Sequence, residues 1–170
     1  HSFFIPKDIN GDSITKYLNG SWNFKLFKND ELVPKDFFKT DFGKDDWQKI
    51  PVPSNWQFHT DDFPLYTNIV YPYEINPPYM PKEYNPVGLY HREFTVDKDW
   101  NDKQIFIHFG AVNSAFYLWI NGEFVGYSEG SKTPAEFDIS KYLNGSLNQL
   151  VMKVIRWSDG TYIEDQDFWR

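Results

Sequence analysis

Across residues 21–27 apolar and polar positions alternate, with Trp22, Phe24 and Leu26 on one side and Ser21, Asn23 and Lys25 on the other. A period of two marks a strand with one buried face. The same period recurs after Gly88. Tyr90, Phe94 and Val96 share a face within 89–96, Ile105, Ile107 and Phe109 within 104–109, and Phe116, Leu118 and Ile120 within 115–120. Asn121-Gly122 predicts a two-residue hairpin, since both central positions of the favoured turn need positive φ; residues 124–127 form the return strand. The segment 128–136 reads as a loop and 137–143 as a short strand with a turn. Asn144-Gly145 turns again, and Leu150, Met152 and Val154 line the last strand. Alternation assigns Trp22, Trp119 and Trp157 to the core, and leaves Trp56, Trp100 and Trp169 for the surface or an interface.

Between these strands the pattern breaks. Residues 1–17 lack periodicity and read as an N-terminal arm laid on a domain spanning 18–170. Residues 28–46 are charged without a helical stripe, which predicts a loop with a short helical turn. In Gln48-Lys49-Ile50-Pro51-Val52-Pro53 the two prolines permit an edge strand and forbid a central one. The stretch 54–87 is the longest irregular region and holds Pro72, Pro77, Pro78, Pro81 and Pro86. Its tyrosines, Tyr66, Tyr71, Tyr73, Tyr79 and Tyr84, argue for an ordered ligand or interface loop. Short strands separated by Gly, Pro and Asn predict an all-β sandwich.

Composition narrows the function. Aromatic residues make up 20% of the chain, more than packing requires, which favours a β fold with a ligand face. A net charge of -7 with no basic stripe argues against nucleic acid. No run has the length of a membrane span, and residues 1–6 lack the layout of a signal peptide. The absence of cysteine excludes disulfides, thiolate metal sites and a Cys nucleophile, and fits a cytoplasmic protein. Asn19-Gly20-Ser21 and Asn144-Gly145-Ser146 match the glycosylation sequon and are read as turns. No serine sits in a Gly-x-Ser-x-Gly elbow. His59, His91 and His108 show no ligand spacing, and His91 and His108 are expected on strand surfaces.

The chemistry gathers in the last stretch, where Asp159, Glu164, Asp165 and Asp167 stand among Trp157, Tyr162, Phe168 and Trp169. Carboxylates give hard oxygen ligands and strong acceptors, and aromatic faces give apolar platforms; together they suit a hydroxyl-rich ligand such as a sugar. Taken alone, Asp167 reads first as a buried carboxylate paired with Arg156 or Arg170, since structural ion pairs outnumber functional carboxylates. Asp165 and Asp167, if extended, lie about 7 Å apart, against the roughly 5–5.5 Å of a retaining carboxylate pair, and this spacing identifies no acid–base pair. The stretch breaks off in mid-motif, so a fragment of a longer chain is expected.

Four collinear motifs carry a resemblance that runs from about Leu18 to the end. They are Val52-Pro53-Ser54-Asn55-Trp56-Gln57, Tyr66-Thr67-Asn68 with Asn76-Pro77-Pro78, Val112-Asn113-Ser114-Ala115-Phe116 through Asn121-Gly122, and the run from Ser158 to Arg170. The chain resembles the N-terminal, sugar-binding domain of the large β-galactosidases of glycoside hydrolase family 2. That resemblance implies a jelly-roll β-sandwich without catalytic residues of its own, beside a catalytic barrel domain, in an enzyme that is a homo-oligomer. It implies that Asp167 binds a sodium ion and a galactose hydroxyl and that Asn68 hydrogen-bonds the sugar. It places Asp159 and Glu129 near a structural magnesium ion, although the residue usual at 129 is Gln. Because the family's catalytic glutamates lie elsewhere, the chain alone is expected to hydrolyse nothing. The competing readings are a free-standing carbohydrate-binding module or lectin, and another family 2 enzyme such as a glucuronidase or mannosidase, which lacks the Glu164-Asp165-Gln166-Asp167 run.

Overall fold

The alternating segments become ladders. In a computed structural model, which describes residues 14–65, 70–100, 102–145 and 147–164, eight strands form two antiparallel sheets. β1 (Gly20–Phe27), β2 (Gln48–Val52), β3 (Val87–Thr95), β5 (Ala115–Ile120), β6 (Glu123–Glu129) and β8 (Leu147–Ile155) make a six-stranded sheet in the order β2-β1-β3-β8-β5-β6. β4 (Phe106–Phe109) and β7 (Ala135–Asp138) pair as a second, two-stranded sheet. No α-helix occurs among the described residues, which hold only short 3-10 turns. The all-β sandwich expected from the sequence is the architecture observed.

The core lies between the sheets. Trp22 and Phe24 of β1, Phe116, Leu118 and Ile120 of β5, and Leu150, Met152 and Val154 of β8 meet Ile107 of β4, with Phe109 and Phe137 packed beside them. Edge contacts between Phe109 and Phe116 (centroids 4.9 Å apart) and between Phe116 and Phe137 (6.0 Å) join the two layers. Such pairs add to area burial, since each ring edge meets another ring's face. β2 is an edge strand, as its prolines require, with Pro51 opposite Ser21. The β5–β6 hairpin closes through Asn121 (φ 52°) and Gly122 (φ 83°), a turn open to few other residues. The expected loop after β6 is shorter than read from the sequence, because β6 runs to Glu129 and β7 begins at Ala135.

Central strands β3 and β8 are covered on both faces. The segment 33–47 folds over the outer face of the large sheet, where Phe37 and Trp47 pack on Leu89 and Val151, with Phe38 and Trp119 alongside. Three expectations are corrected, the first two by this second layer and the third by the inner core. His91 is 4% exposed rather than on the surface, because the outer face of β3 is roofed. Trp119 is half-buried on the outer face, stacked on Phe38 at 5.6 Å, instead of entering the inner core. Trp56 is 5% exposed, packed on Phe24. Trp157 and Trp22 are buried as expected, Trp100 is half-buried, and Trp169 lies outside the described residues. His108 is exposed and pairs with Glu136 at 2.9 Å. Of the N-terminal arm, residues 14–17 are described, and Lys16 Nζ reaches Asp97 at 3.0 Å.

His91 makes folding pH-dependent. Its Nδ1 lies 2.9 Å from Asn23 Nδ2. Burial, aided by the Lys44 charge, lowers its pKa to about 4 from 6.5. Between those values the unfolded chain takes up a proton that the folded chain refuses. Stability therefore falls as pH drops through about 6.5 towards about 4, and this residue accounts for up to about 3 kcal/mol of the loss. Urea midpoints across that range should decline less steeply in His91→Gln than in the parent chain.

Candidate functional site

One end of the sandwich is built on a buried ion pair. β8 ends at Ile155, and the next residue turns its guanidinium inward: Arg156 Nη1 donates to Asp62 Oδ1 at 2.6 Å. The two side chains are 9% and 1% exposed. Tyr84 OH also donates to Oδ1 (2.6 Å), while Trp56 Nε1 (2.5 Å) and Gln57 Nε2 (3.2 Å) donate to Oδ2. The guanidinium lies between the rings of Phe63 and Trp157, 5.2 and 4.9 Å from their centroids, and its Nη2 bonds the Phe63 carbonyl at 2.9 Å. A buried charge persists only when paired and hydrogen-bonded, and here both partners are. Burial, reinforced by the bond to Asp62, pushes the Tyr84 phenol up to about 12. Of the two arginines the sequence offered as partners for Asp167, Arg156 is thus engaged by Asp62. The sequence analysis passed over Asp62, which stands in an irregular stretch without periodicity.

Beyond Arg156 the chain makes a tight turn, Asp159–Tyr162, opened by Ser158. Thr161 Oγ1 accepts from Ser158 N–H at 3.1 Å. Glu129, the last residue of β6, reaches this turn: its Oε1 accepts Gly160 N–H at 2.7 Å and its Oε2 accepts Tyr127 OH at 2.8 Å. Burial by itself would raise its pKa, but the nearby Ser158 hydroxyl and the hydrogen bonds from Tyr127 and Gly160 outweigh it and hold the carboxyl below its usual range. The approach requires glycine, because a Cβ at residue 160 would stand 2.6 Å from Glu129 Oε1. Exposed Asp159 neighbours Glu129. The fold therefore brings together the two carboxylates that the resemblance assigned to magnesium. Among the described residues no group of three or more His, Asp or Glu side chains gathers. A groove of about 370 Å³ beside the pair is lined by Asp30, Tyr117, Tyr127, Trp157 and Asp159, among others.

The proline-rich segment packs against the same turn. Tyr71 and Tyr73 lie 5.5 and 6.1 Å from the Tyr162 ring, and Tyr73 lies 5.0 Å from Trp157. Tyr162 OH donates to the Tyr79 carbonyl at 2.9 Å and accepts Asn76 N–H at 3.2 Å. Glu164 is held from the other side by Ser131, whose N–H lies 2.6 Å from Oε1 and whose hydroxyl lies 2.5 Å from Oε2. Asn68 and Asp167 lie outside the described residues. The described segments nearest them in sequence, 70–79 and 158–164, meet at one end of the molecule through Tyr71, Tyr73 and Tyr162. That end combines aromatic faces with carboxylates, the pairing that suits hydroxyl-rich ligands. His59 is hydrogen-bonded to Ser54 (2.8 Å) and lines a cleft of about 630 Å³ beside β1, which Asp62 and Tyr84 also line. No helix among the described residues is long and apolar enough to cross a membrane.

Comparison with known proteins agrees with this geometry. The profile described as "Glycosyl hydrolases family 2, sugar binding domain" matches residues 15–170. A β-galactosidase of Priestia megaterium is 52% identical over 157 residues, covering 90% of this chain and 15% of that protein. One from Psychromonas ingrahamii is 46% identical over 169 residues, covering 99% of this chain and 16% of that protein. The chain thus spans about 15% of the length of the curated relatives it matches. Among solved structures, a β-glucuronidase from an uncultured Clostridium superposes with a TM-score of 0.60 at 26% identity, over 82% of this chain and 21% of that one.

Two substitutions test what holds this end together. Asp62→Asn leaves the Arg156 guanidinium buried without a counter-charge and should cost about 3–5 kcal/mol in equilibrium urea unfolding. Gly160→Ala forces Glu129 away from the turn and should cost about 1–3 kcal/mol by the same measurement.

Proposed function

The chain belongs to the glycosyl hydrolases of family 2, as their sugar binding domain over residues 15–170, and from that premise we propose that it is the non-catalytic N-terminal domain of a β-galactosidase. The parent enzyme removes terminal β-D-galactose from β-galactosides such as lactose, in the cytoplasm and as a homo-oligomer. The observation that carries this reading is identity of 52% to a β-galactosidase over 90% of this chain but only 15% of that relative. The relatives named above are β-galactosidases, which favours a domain within an enzyme over a free-standing carbohydrate-binding module or lectin. The catalytic glutamates belong to a barrel domain of the same enzyme, and this domain lends its rim.

In this reading Asn68 contacts the sugar, its amide able to donate and accept at once, as sugar hydroxyls do. Asp167 binds a galactose hydroxyl and a sodium ion. Asp159 and Glu129 would hold a magnesium ion; bound there, the cation offsets the repulsion between the two carboxylates and ties the turn at 159–162 to the end of β6. Their adjacency, with Glu129 held ionised by its hydrogen bonds, supports that assignment. A long, aromatic, well-packed loop beside the turn supports the rim role.

The test is a chimera in which this chain replaces the matching segment of the Priestia megaterium relative. The chain alone should show no turnover of a nitrophenyl galactoside, and the chimera should be active. Asn68→Ala in the chimera should raise KM about tenfold, as expected for one lost polar contact to the sugar. Turnover by the isolated chain, or an unchanged KM in the variant, would contradict the proposal.

A further inference from the structure

The Tyr162 hydroxyl occupies an unusual position. Residues 76–79 form a tight turn in which Tyr79 N–H donates to the Asn76 carbonyl at 2.8 Å. Asn76 and Tyr79 face each other as an isolated antiparallel bridge, and its other pair, Asn76 N–H and the Tyr79 carbonyl, is shared with a third group. Both groups bond to Tyr162 OH, which accepts from the first at 3.2 Å and donates to the second at 2.9 Å. A phenol does both at once, and no apolar ring does either. The Tyr162 ring also rests on Tyr71 and Tyr73. Tyr162 is itself fixed, because Gly160 on one side is bonded to Glu129 and Glu164 on the other to Ser131.

We propose that Tyr162 is a positioning residue for the enzyme's sugar affinity: its single hydroxyl sets the register of the proline-rich loop against the acidic turn. The inference rests on the function proposed above, in which both segments lead to the rim of the galactose pocket. The 158–164 segment is anchored to Glu129 and to Ser131 on the sandwich side. Towards the other loop it accepts a long bond from Tyr71 OH at the Tyr162 carbonyl (3.5 Å) and is clamped to the 76–79 turn by the Tyr162 hydroxyl. Removing that hydroxyl leaves the sandwich, the ion pair of Asp62 and Arg156, and the ring contacts in place. It frees the loop to shift against the turn. A loop that must be ordered on binding lowers affinity without changing the chemical step.

Tyr162→Phe in the chimera should raise KM for the nitrophenyl galactoside about three- to tenfold, leave kcat within about twofold, and keep Tm within about 3 °C of the parent. In the 170-residue chain the same variant should speed amide hydrogen exchange at Asn76, whose N–H loses its bond to the Tyr162 oxygen. If KM stays unchanged in Tyr162→Phe while Asn68→Ala raises it, the positioning role is wrong and the rim reading survives. If neither variant moves KM, both are wrong. Should the chimera be inactive, unchanged exchange at Asn76 in the 170-residue chain overturns the clamp, and faster exchange supports it.

Discussion

A single carboxylate deep in the irregular half of the chain carries the end of the molecule that matters. Asp62 receives hydrogen bonds from Arg156, Tyr84, Trp56 and Gln57, and it is 1% exposed on its side chain. The four donors come from three segments: Arg156 from the exit of β8, Tyr84 from the end of the proline-rich loop, and Trp56 and Gln57 from the turn after β2. Backbone ladders cannot reach across such segments, so a charged hub substitutes for them. The arrangement is conditional on completeness. A buried carboxylate with four donors is stable, and the same carboxylate with its cation removed is a large liability.

The aromatic rings around this hub complete it. Phe63 and Trp157 both pack within 5.2 Å of the Arg156 guanidinium, which is 9% exposed. Trp157 in turn supports Tyr73, and Tyr73 supports Tyr162. A chain of contacts therefore runs from the ion pair to the acidic turn. Much of the aromatic excess in the composition is spent here and on the outer layer of Phe37, Phe38, Trp47 and Trp119, and less in the core between the sheets.

The acidic turn joins two halves of the fold. Glu129 is the last residue of β6, at the edge of the large sheet, and Gly160 follows β8 near its centre. Their bond holds a turn of carboxylates against the sheet edge without a ladder. Net negative charge at such a turn is tolerated because backbone and hydroxyl donors are aimed at the carboxylates, and cations would extend the same logic.

How much of this was legible beforehand depends on the range of the interaction. Alternation in 21–27, 115–120 and 150–154 determined the inner core, since a period of two records which face is buried. Asn121-Gly122 determined its hairpin, because positive φ at two successive positions is a local property. The motifs at 52–57, 112–116 and 158–164 identified the family. The roof over the outer face could not be read, so His91 and Trp119 were misplaced; what covers a strand's second side is decided by a segment distant in the chain, as Trp47 is from Leu89. Nor could the bond between Asp62 and Arg156, 94 residues apart, or the meeting of Glu129 with Gly160. Periodicity reports on a residue's own backbone, while pairing of buried charges depends on where distant loops come to rest, and only the folded chain decides that.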